Sequence, residues 1–365
     1  MKDSATMARF RVLCSLGLGG EAIMPALVDA LHKLIPWHVA AFFWVDPQGR
    51  ILNIFDGGAV DRKILSIYAS EFSKHARTAY GCGFANAVRT MAGVQELPDW
   101  GNGFFSTDFY NLIWRSFGAH QAIQAIIREG SKPARGALVL YRTAQGKTFS
   151  ADEKRLLENL IPYIAHALEQ PRMPTNPVLE PTDDRGLVIL DQSGKLRYRC
   201  PAAQRLLTQI GYPTIGHLTS ERDEVGTPAR QILAGLAQRL VAIFNGHTAA
   251  PPVENADTPW GRFVLRAYWL DASEEAVSGC IGVTIERHEP FVVQMWRRTA
   301  GLPLSPTQQE VCLLLAQGMT RAEIARRLHI GESTAIDHVR KLYDKLGVSG
   351  RSEMLTLLRA QPSAN

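Results

Sequence analysis

The stretch LSPTQQEVCLLLAQGMTRAEIARRLHIGESTAIDHVRKLYDKLGVSGRSEMLTLL, from Leu304 to Leu358, decides how this chain is read. Ser305, Pro306 and Gln308 open a first helix with a capping box and a proline whose φ is already helical. Val311, Leu314 and Leu315 then recur at helical spacing, and Gly318 supplies the stop. Thr320 and Glu323 form a second capping box, opening a helix through Ala322, Ile324, Ala325 and Leu328. His329, Ile330 and Gly331 make a short turn. A third helix follows over about Glu332 to Leu346, with Ala335, Val339, Leu342 and Leu346 as its apolar stripe and Gly347 as its end. Two short helices joined by a tight turn, the second the longer, make a helix-turn-helix pattern. A fourth helix begins near Arg351 and carries Met354, Leu355 and Leu358 on one side.

These residues resemble the C-terminal DNA-binding domain of the LuxR/NarL/GerE family of bacterial regulators. The match lies at Leu304-Ser305, Glu310-Val311, Gly318, Glu323-Ile324-Ala325, Leu328, Thr334, His338, Lys345-Leu346-Gly347-Val348 and Arg351, within about 55 residues. The resemblance implies base-facing positions at Ile336, Asp337 and Arg340 and phosphate-side positions at Thr334, His338, Lys341 and Lys345. It also implies a dimerisation element at Met354, Leu355 and Leu358, and a homodimer on double-stranded DNA. The side chains agree in part. Arg340 can read guanine O6 and N7 together, and Ile336 can meet a thymine methyl. Asp337 would repel phosphate unless it accepts from cytosine N4 or pairs with Arg340 or Lys341. Where the family commonly has Ser at the third-helix cap this chain has Gly331, and Ile336 replaces a commonly polar or basic residue; the sequence preference is therefore open.

At 365 residues the chain is too long for one ordinary domain. Forty Lys and Arg oppose 35 Asp and Glu, a formal net charge of +5, with 10 basic and 6 acidic residues in 291–365. That excess fits a DNA-binding tail without proving one, so the case rests on pattern. Cys14, Cys82, Cys200, Cys280 and Cys312 show no CxxC or short Cys/His spacing, and read as reduced thiols with no metal site. No apolar run approaches the roughly 20 residues that span a bilayer. Arg9, Arg11 and the short, Gly-rich Val12 to Gly20 are a poor export signal, so a cytoplasmic location and no membrane partner are expected.

Toward the start, a helix over Ile23 to Leu34 precedes a hairpin of Val39 to Val45 and Ile51 to Phe55. Helical material from Arg62 to Ala76 and an irregular stretch around Trp100 lead to a helix near Phe109 to Phe117. Gly136 to Arg142 is a further strand, and a capped helix runs to Leu168. The closing GALVLYRTAQGKTFSADEKRLLENLIPYIAHAL resembles the last strand, turn and helix of GAF domains, which often hold a small molecule between sheet and loops. Aromatic residues cluster here; they either fill the core or line such a site, and Trp100, Phe104 and Tyr110 are the lining candidates.

Four prolines between Pro171 and Asp184 mark a semi-rigid linker. Beyond it come a strand over Gly186 to Leu190, a turn at Asp191-Gln192-Ser193-Gly194, a strand over Leu196 to Arg199 and a helix opened by Pro201. Later, Trp260 to Trp269 and Gly279 to Glu286 alternate as an antiparallel pair. GLVILDQSGKLRYRCPAAQRLL resembles the opening of PAS domains. His217 and His247 lie in loops unsuited to haem ligation, so no cofactor is expected. Asp191 opens a tight turn into another strand, unlike the phosphorylated aspartate of a receiver domain.

No Walker motif, GxSxG, strand-linked GxGxxG or carboxylate pair supports an enzyme, and no catalytic residue is assigned. The expected fold class is multidomain α+β. Its parts are a GAF-like α/β sensor domain (1–170), a linker (171–184), a PAS-like α+β domain (185–290), a connector (291–303) and an all-α four-helix LuxR-type helix-turn-helix domain (304–365). The expected function is a one-component transcriptional regulator whose sensory domains gate DNA binding, with RNA polymerase and an unknown small molecule as further partners. Two alternatives stay open: a sigma-factor-like RNA polymerase-binding protein, and an acyl-homoserine-lactone-type quorum-sensing receptor.

Overall fold

Helices α1 (Ser4–Cys14) and α2 (Gly20–Leu34) precede the first strands in the computed structural model. The structure describes residues 4–49, 51–57, 60, 64, 67–72, 87, 93–97, 101–169, 178–211, 227–271 and 279–361. By their contacts the residues group into two units. One comprises Met1–Pro36, Glu169–Glu180 and Glu289–Asn365, the other Trp37–Leu168 and Pro181–His288. The architecture is multidomain α+β, with two β-sheets in which the strand pairs run antiparallel.

The first sheet contains β1 (Val39–Val45), β2 (Ile51–Phe55), β3 (Val94–Leu97), β4 (Gln121–Ile127) and β5 (Gly136–Arg142), in the order β2-β1-β5-β4-β3. β1 and β5 are apolar on both faces and occupy interior positions, as runs without polar alternation should. β3, reading VQEL, lies at the edge where half its side chains meet solvent. Thr107 caps the short α3 (Asp108–Leu112), accepting from Tyr110 N at 3.1 Å. The long α4 (Ala151–Glu169) follows β5. Arg142 fastens it to the sheet, donating to Glu153 Oε1 at 2.8 Å.

The second sheet contains β6 (Leu179–Leu190), β7 (Leu196–Arg199), β8 (Val253–Thr258), β9 (Gly261–Leu270) and β10 (Cys280–Pro290), in the order β7-β6-β10-β9-β8. Counted from its own first strand, each sheet has the order second, first, fifth, fourth, third. Helices α5 (Pro201–Gly211) and α6 (Thr227–Phe244) lie between β7 and β8 in sequence. β6 starts well before Gly186, inside the proline-containing stretch read as linker. Among the described residues β7 pairs with Val188 to Leu190, and Pro181 lies outside that ladder. Thr182 Oγ1 there donates to Arg287 O at 3.0 Å, and Asp184 accepts from Arg205 Nη2 at 3.3 Å. Asp191 Oδ1 accepts from Ser193 N and Lys195 N, both at 3.0 Å. The Ser193 hydroxyl, donating to the same oxygen, and then those backbone bonds hold its carboxyl below the usual range in a tight turn between strands. Of the two histidines weighed as ligands, His247 is exposed and His217 lies outside the described residues.

The other unit is helical and adds α7 (Phe291–Arg298), α8 (Pro306–Ala316), α9 (Arg321–Leu328), α10 (Glu332–Leu346) and α11 (Arg351–Ala360). The sequence places residues 1–36 with the first sheet and treats 291–303 as a bare connector; in the structure both segments pack into this unit. Val293 and Met295 of α7 are fully buried, as are Phe10 and Leu13 of α1. α1 lies against α2 and α8, and α7 against α8 and α11. Arg297 of α7 is buried between two carboxylates, donating to Glu289 Oε1 and Asp29 Oδ2 at 3.2 Å each. Such a guanidinium is tolerable because both charges meet it directly.

Candidate nucleic-acid interface

Both capping boxes read from the sequence are formed. Ser305 Oγ accepts from Gln308 N at 3.3 Å while Gln308 Oε1 accepts from Ser305 N at 3.0 Å. Thr320 and Glu323 do the same for α9, at 3.3 and 2.7 Å. His329 ends α9 in the left-handed region, φ 53°, a conformation that costs a β-carbon some strain. Ile330 N donates back to Ala325 O at 3.0 Å, which closes the turn. Gly331 caps α10 with no side-chain bond, as its missing hydroxyl requires.

α10 sits on the other helices through Ala335, Val339, Leu342 and Leu346, all buried. The opposite side is open: Ser333, Thr334, Ile336, Asp337, Arg340, Lys341 and Asp344 are exposed. With 3.6 residues per turn, positions 333, 336, 337, 340, 341 and 344 fall on one continuous stripe. The three residues assigned to bases, Ile336, Asp337 and Arg340, therefore share one face. Ile336 is 42% exposed, an apolar side chain held in water beside charged ones. Arg340 Nη2 donates to Asp337 Oδ1 at 2.9 Å, the pairing that makes an acidic residue tolerable on this face.

Of the phosphate-side positions, Thr334 and Lys341 are exposed and His338 is half-buried. Lys345 is already engaged: its Nζ donates to Pro303 O at 3.2 Å and Gln308 Oε1 at 3.0 Å, tying the end of α10 to the start of α8. Arg351 is structural too, donating to Leu315 O at 2.7 Å and closing the C-terminal end of α8. Arg321 and Arg326 are exposed on α9, Arg321 near enough to Tyr343 of α10 to act on it electrostatically and Arg326 beside Glu332, a placement that depends on the turn.

Met354 and Leu358, assigned to dimerisation, are fully buried within their own unit, and Met354 Sδ lies 3.7 Å from Cys312 Sγ. Leu355 is half-buried and is the one of the three with surface to offer. Burial pushes the Cys312 thiol up to about 12 and lifts the Glu310 carboxyl above its ordinary value, the charge of Arg327 partly opposing the latter. In the first sheet, Phe104 is buried in the aromatic core with its ring 5.0 Å from that of Trp114. Tyr110 packs against that core and its hydroxyl meets His120 Nδ1 at 3.3 Å. Trp100 lies outside the described residues. Among the described residues no helix is long and apolar enough to cross a membrane.

A capped helix, a tight turn and a second helix with one buried stripe and one polar stripe define a helix-turn-helix DNA-binding module. Residues 302–358 match the family described as bacterial regulatory proteins, luxR family. Over 57 residues the chain is 44% identical to the spore germination protein GerE of Bacillus subtilis (strain 168), spanning 15% of this chain and 77% of that one. The chain belongs to the luxR family through this segment, which is the DNA-binding part of a transcription regulator. Among solved structures it is similar to the E. coli DhaR(N)-DhaL complex, at 12% identity over 78% of this chain and 90% of that chain, with a TM-score of 0.24. It is also similar to the Vibrio cholera VqmA-ligand-DNA complex, at 20% identity over 50% and 86% of the two chains, with a TM-score of 0.22. Superpositions this loose carry no structural argument.

Proposed function

We propose that the protein is a one-component transcriptional regulator in which two sheet domains, GAF-like (within 37–168) and PAS-like (within 181–288), govern sequence-specific binding of duplex DNA by α10. The observation that carries this reading is the exposed stripe containing Ile336, Asp337, Arg340 and Lys341, with exposed Thr334 beside it, backed by a buried stripe and aimed by two capped helices. Its width and polarity suit a major groove, where Arg340 can engage guanine and Lys341 a phosphate. Two sheets of one strand order, outside the helix-turn-helix segment, support the sensory role. A homodimer on two half-sites follows from the family, with Leu355 as the residue placed to contribute. A small ligand or partner protein, RNA polymerase included, shifts the balance between binding-competent and incompetent states.

The test is selection of duplexes from a random pool by the full-length protein. The expected result is a recurring sequence bound at least about 10³-fold more tightly than random duplex at one salt concentration. Binding that depends on salt but not on sequence would overturn the reading.

A further inference from the structure

Ala41 of β1, Val139 of β5 and Gln124 of β4 lie in one row across the first sheet. Two of them are small and apolar. The third places an amide on the face covered by the aromatic core. Gln124 is 1% exposed, and its Oε1 has no hydrogen-bond partner among the described residues. An amide desolvated without a partner is costly, and buried native groups are almost always satisfied. What satisfies this one is therefore the question the site poses.

Gln124 lines a cavity of about 50 Å³ that opens on one side. Phe43, Phe109, Ile113, Trp114 and Val139 supply mostly carbon to its walls. Tyr68 and Tyr141 also line it, but most of the wall is carbon, which a lone water, needing two to four polar partners, leaves uncovered. Asp56 also lines the cavity, with Oδ2 accepting from Val60 N at 3.1 Å, and would repel an anion. Aromatic walls favour a flat ring, and a single amide on an apolar face favours a single polar substituent.

We propose that this cavity is a binding site for a small, uncharged, planar aromatic molecule carrying one hydrogen-bond donor, which Gln124 recognises; the inference rests on reading the first sheet as sensory. The site differs from the Trp100, Phe104 and Tyr110 set: Phe104 and Tyr110 are not among its described lining residues. Discrimination comes from the amide. A molecule lacking the donor leaves Gln124 unsatisfied, which weakens its binding even though it is more apolar.

The probes are phenol and toluene, one ring bearing a hydroxyl or a methyl group, titrated calorimetrically into the full-length protein without DNA. An all-carbon cavity would prefer toluene. The expected result here is phenol binding at least 10-fold more tightly, with the order reversed in Gln124→Leu, which keeps the volume and removes the amide. Toluene binding as tightly as phenol to the unaltered protein, or no saturable binding of either, would overturn the proposal without recourse to the variant. Because no DNA is present, failure here is separable from failure of the regulatory reading. Phenol binding that leaves DNA affinity unchanged would support the cavity and count against its sensory role.

Discussion

Arg9 and Trp296, 287 positions apart, hold each other reciprocally: Arg9 Nη2 donates to Trp296 O at 2.9 Å, and Trp296 Nε1 donates to Arg9 O at 3.0 Å. The guanidinium carbon also lies 4.9 Å from the centroid of the indole ring. Burial lowers the Arg9 pKa to about 10, so the side chain is still charged at neutral pH. This clasp joins α1 to α7, and through α7 to the helices on which α10 and its exposed stripe rest. Arg9→Ala is expected to destabilise the helical unit by about 1 to 3 kcal/mol, since it removes a charged donor and leaves Trp296 O to the Thr299 hydroxyl, at 2.8 Å. Trp296→Phe, losing one donor, should cost about 1 kcal/mol plus a packing loss. Hydrogen exchange checks both: amides in 4–34 should lose protection while β1 and β5 keep theirs.

Glu310 gives the helical unit a pH dependence whose sign follows from its burial. Its carboxyl ionises near 4.5 when unfolded and higher when folded, because desolvation outweighs the attraction of Arg327. Below 4.5 both states hold the proton and the group contributes nothing. As pH rises through the window above 4.5, the unfolded chain gives up its proton first, so folding loses stability. Glu310→Gln should therefore match the natural protein in urea midpoint at pH 4 and exceed it at pH 8. Equal midpoints at both pH values would show that the carboxylate is well solvated.

Gly136 tests the packing beneath the first sheet. A β-carbon there would run into the Phe42 ring, and would lie 2.7 Å from Phe43 O, a backbone atom that cannot swing aside. Gly136→Ala should cost about 1 to 3 kcal/mol as overpacking, seen as a lowered Tm of the full-length protein. A Tm within 1 °C or so of the natural protein's would mean that β1 and β5 can part without penalty.

The parts legible in the sequence are those fixed by neighbours. β1, β2 and β5 match their expected bounds because each is a short apolar run closed by turn residues, and both capping boxes need only residues three apart. The contacts of Lys345 to Pro303 and Gln308 are not legible, because those partners lie some 40 positions away. The same distance problem hid the place of α1 and α2, whose clasp to α7 joins opposite ends of the chain. β3 and β8, VQEL and VENADT, have too few apolar residues to announce a strand and are specified by the neighbours they pair with.

Arg340 and Lys341, adjacent in sequence, should fail in different ways. Arg340→Ala is expected to lose about 1 to 3 kcal/mol at one base position and to relax preference there. Lys341→Ala should weaken all duplexes evenly and flatten the salt slope by about 1. Titrations against single-base variants of the selected site at several salt concentrations separate the two. An even loss across sequences for Arg340→Ala would place its guanidinium on phosphate.

Asp337 sharpens that distinction. Its pair with Arg340 is at the surface, with the two side chains 54% and 68% exposed, so its worth to folding lies within about 0 to 1 kcal/mol. On the proposed reading its effect is expected in DNA binding, by offsetting one positive charge and holding Arg340 in place before a base is met. Asp337→Asn keeps the shape and removes the charge. Stability should change little, while affinity for random duplex rises and the salt slope steepens by up to about 0.9, as though one more phosphate were neutralised. Preference at the base read by Arg340 should fall, because a freed guanidinium can choose phosphate instead. An unchanged slope with unchanged preference would place Asp337 away from the duplex and leave Arg340 to act without it.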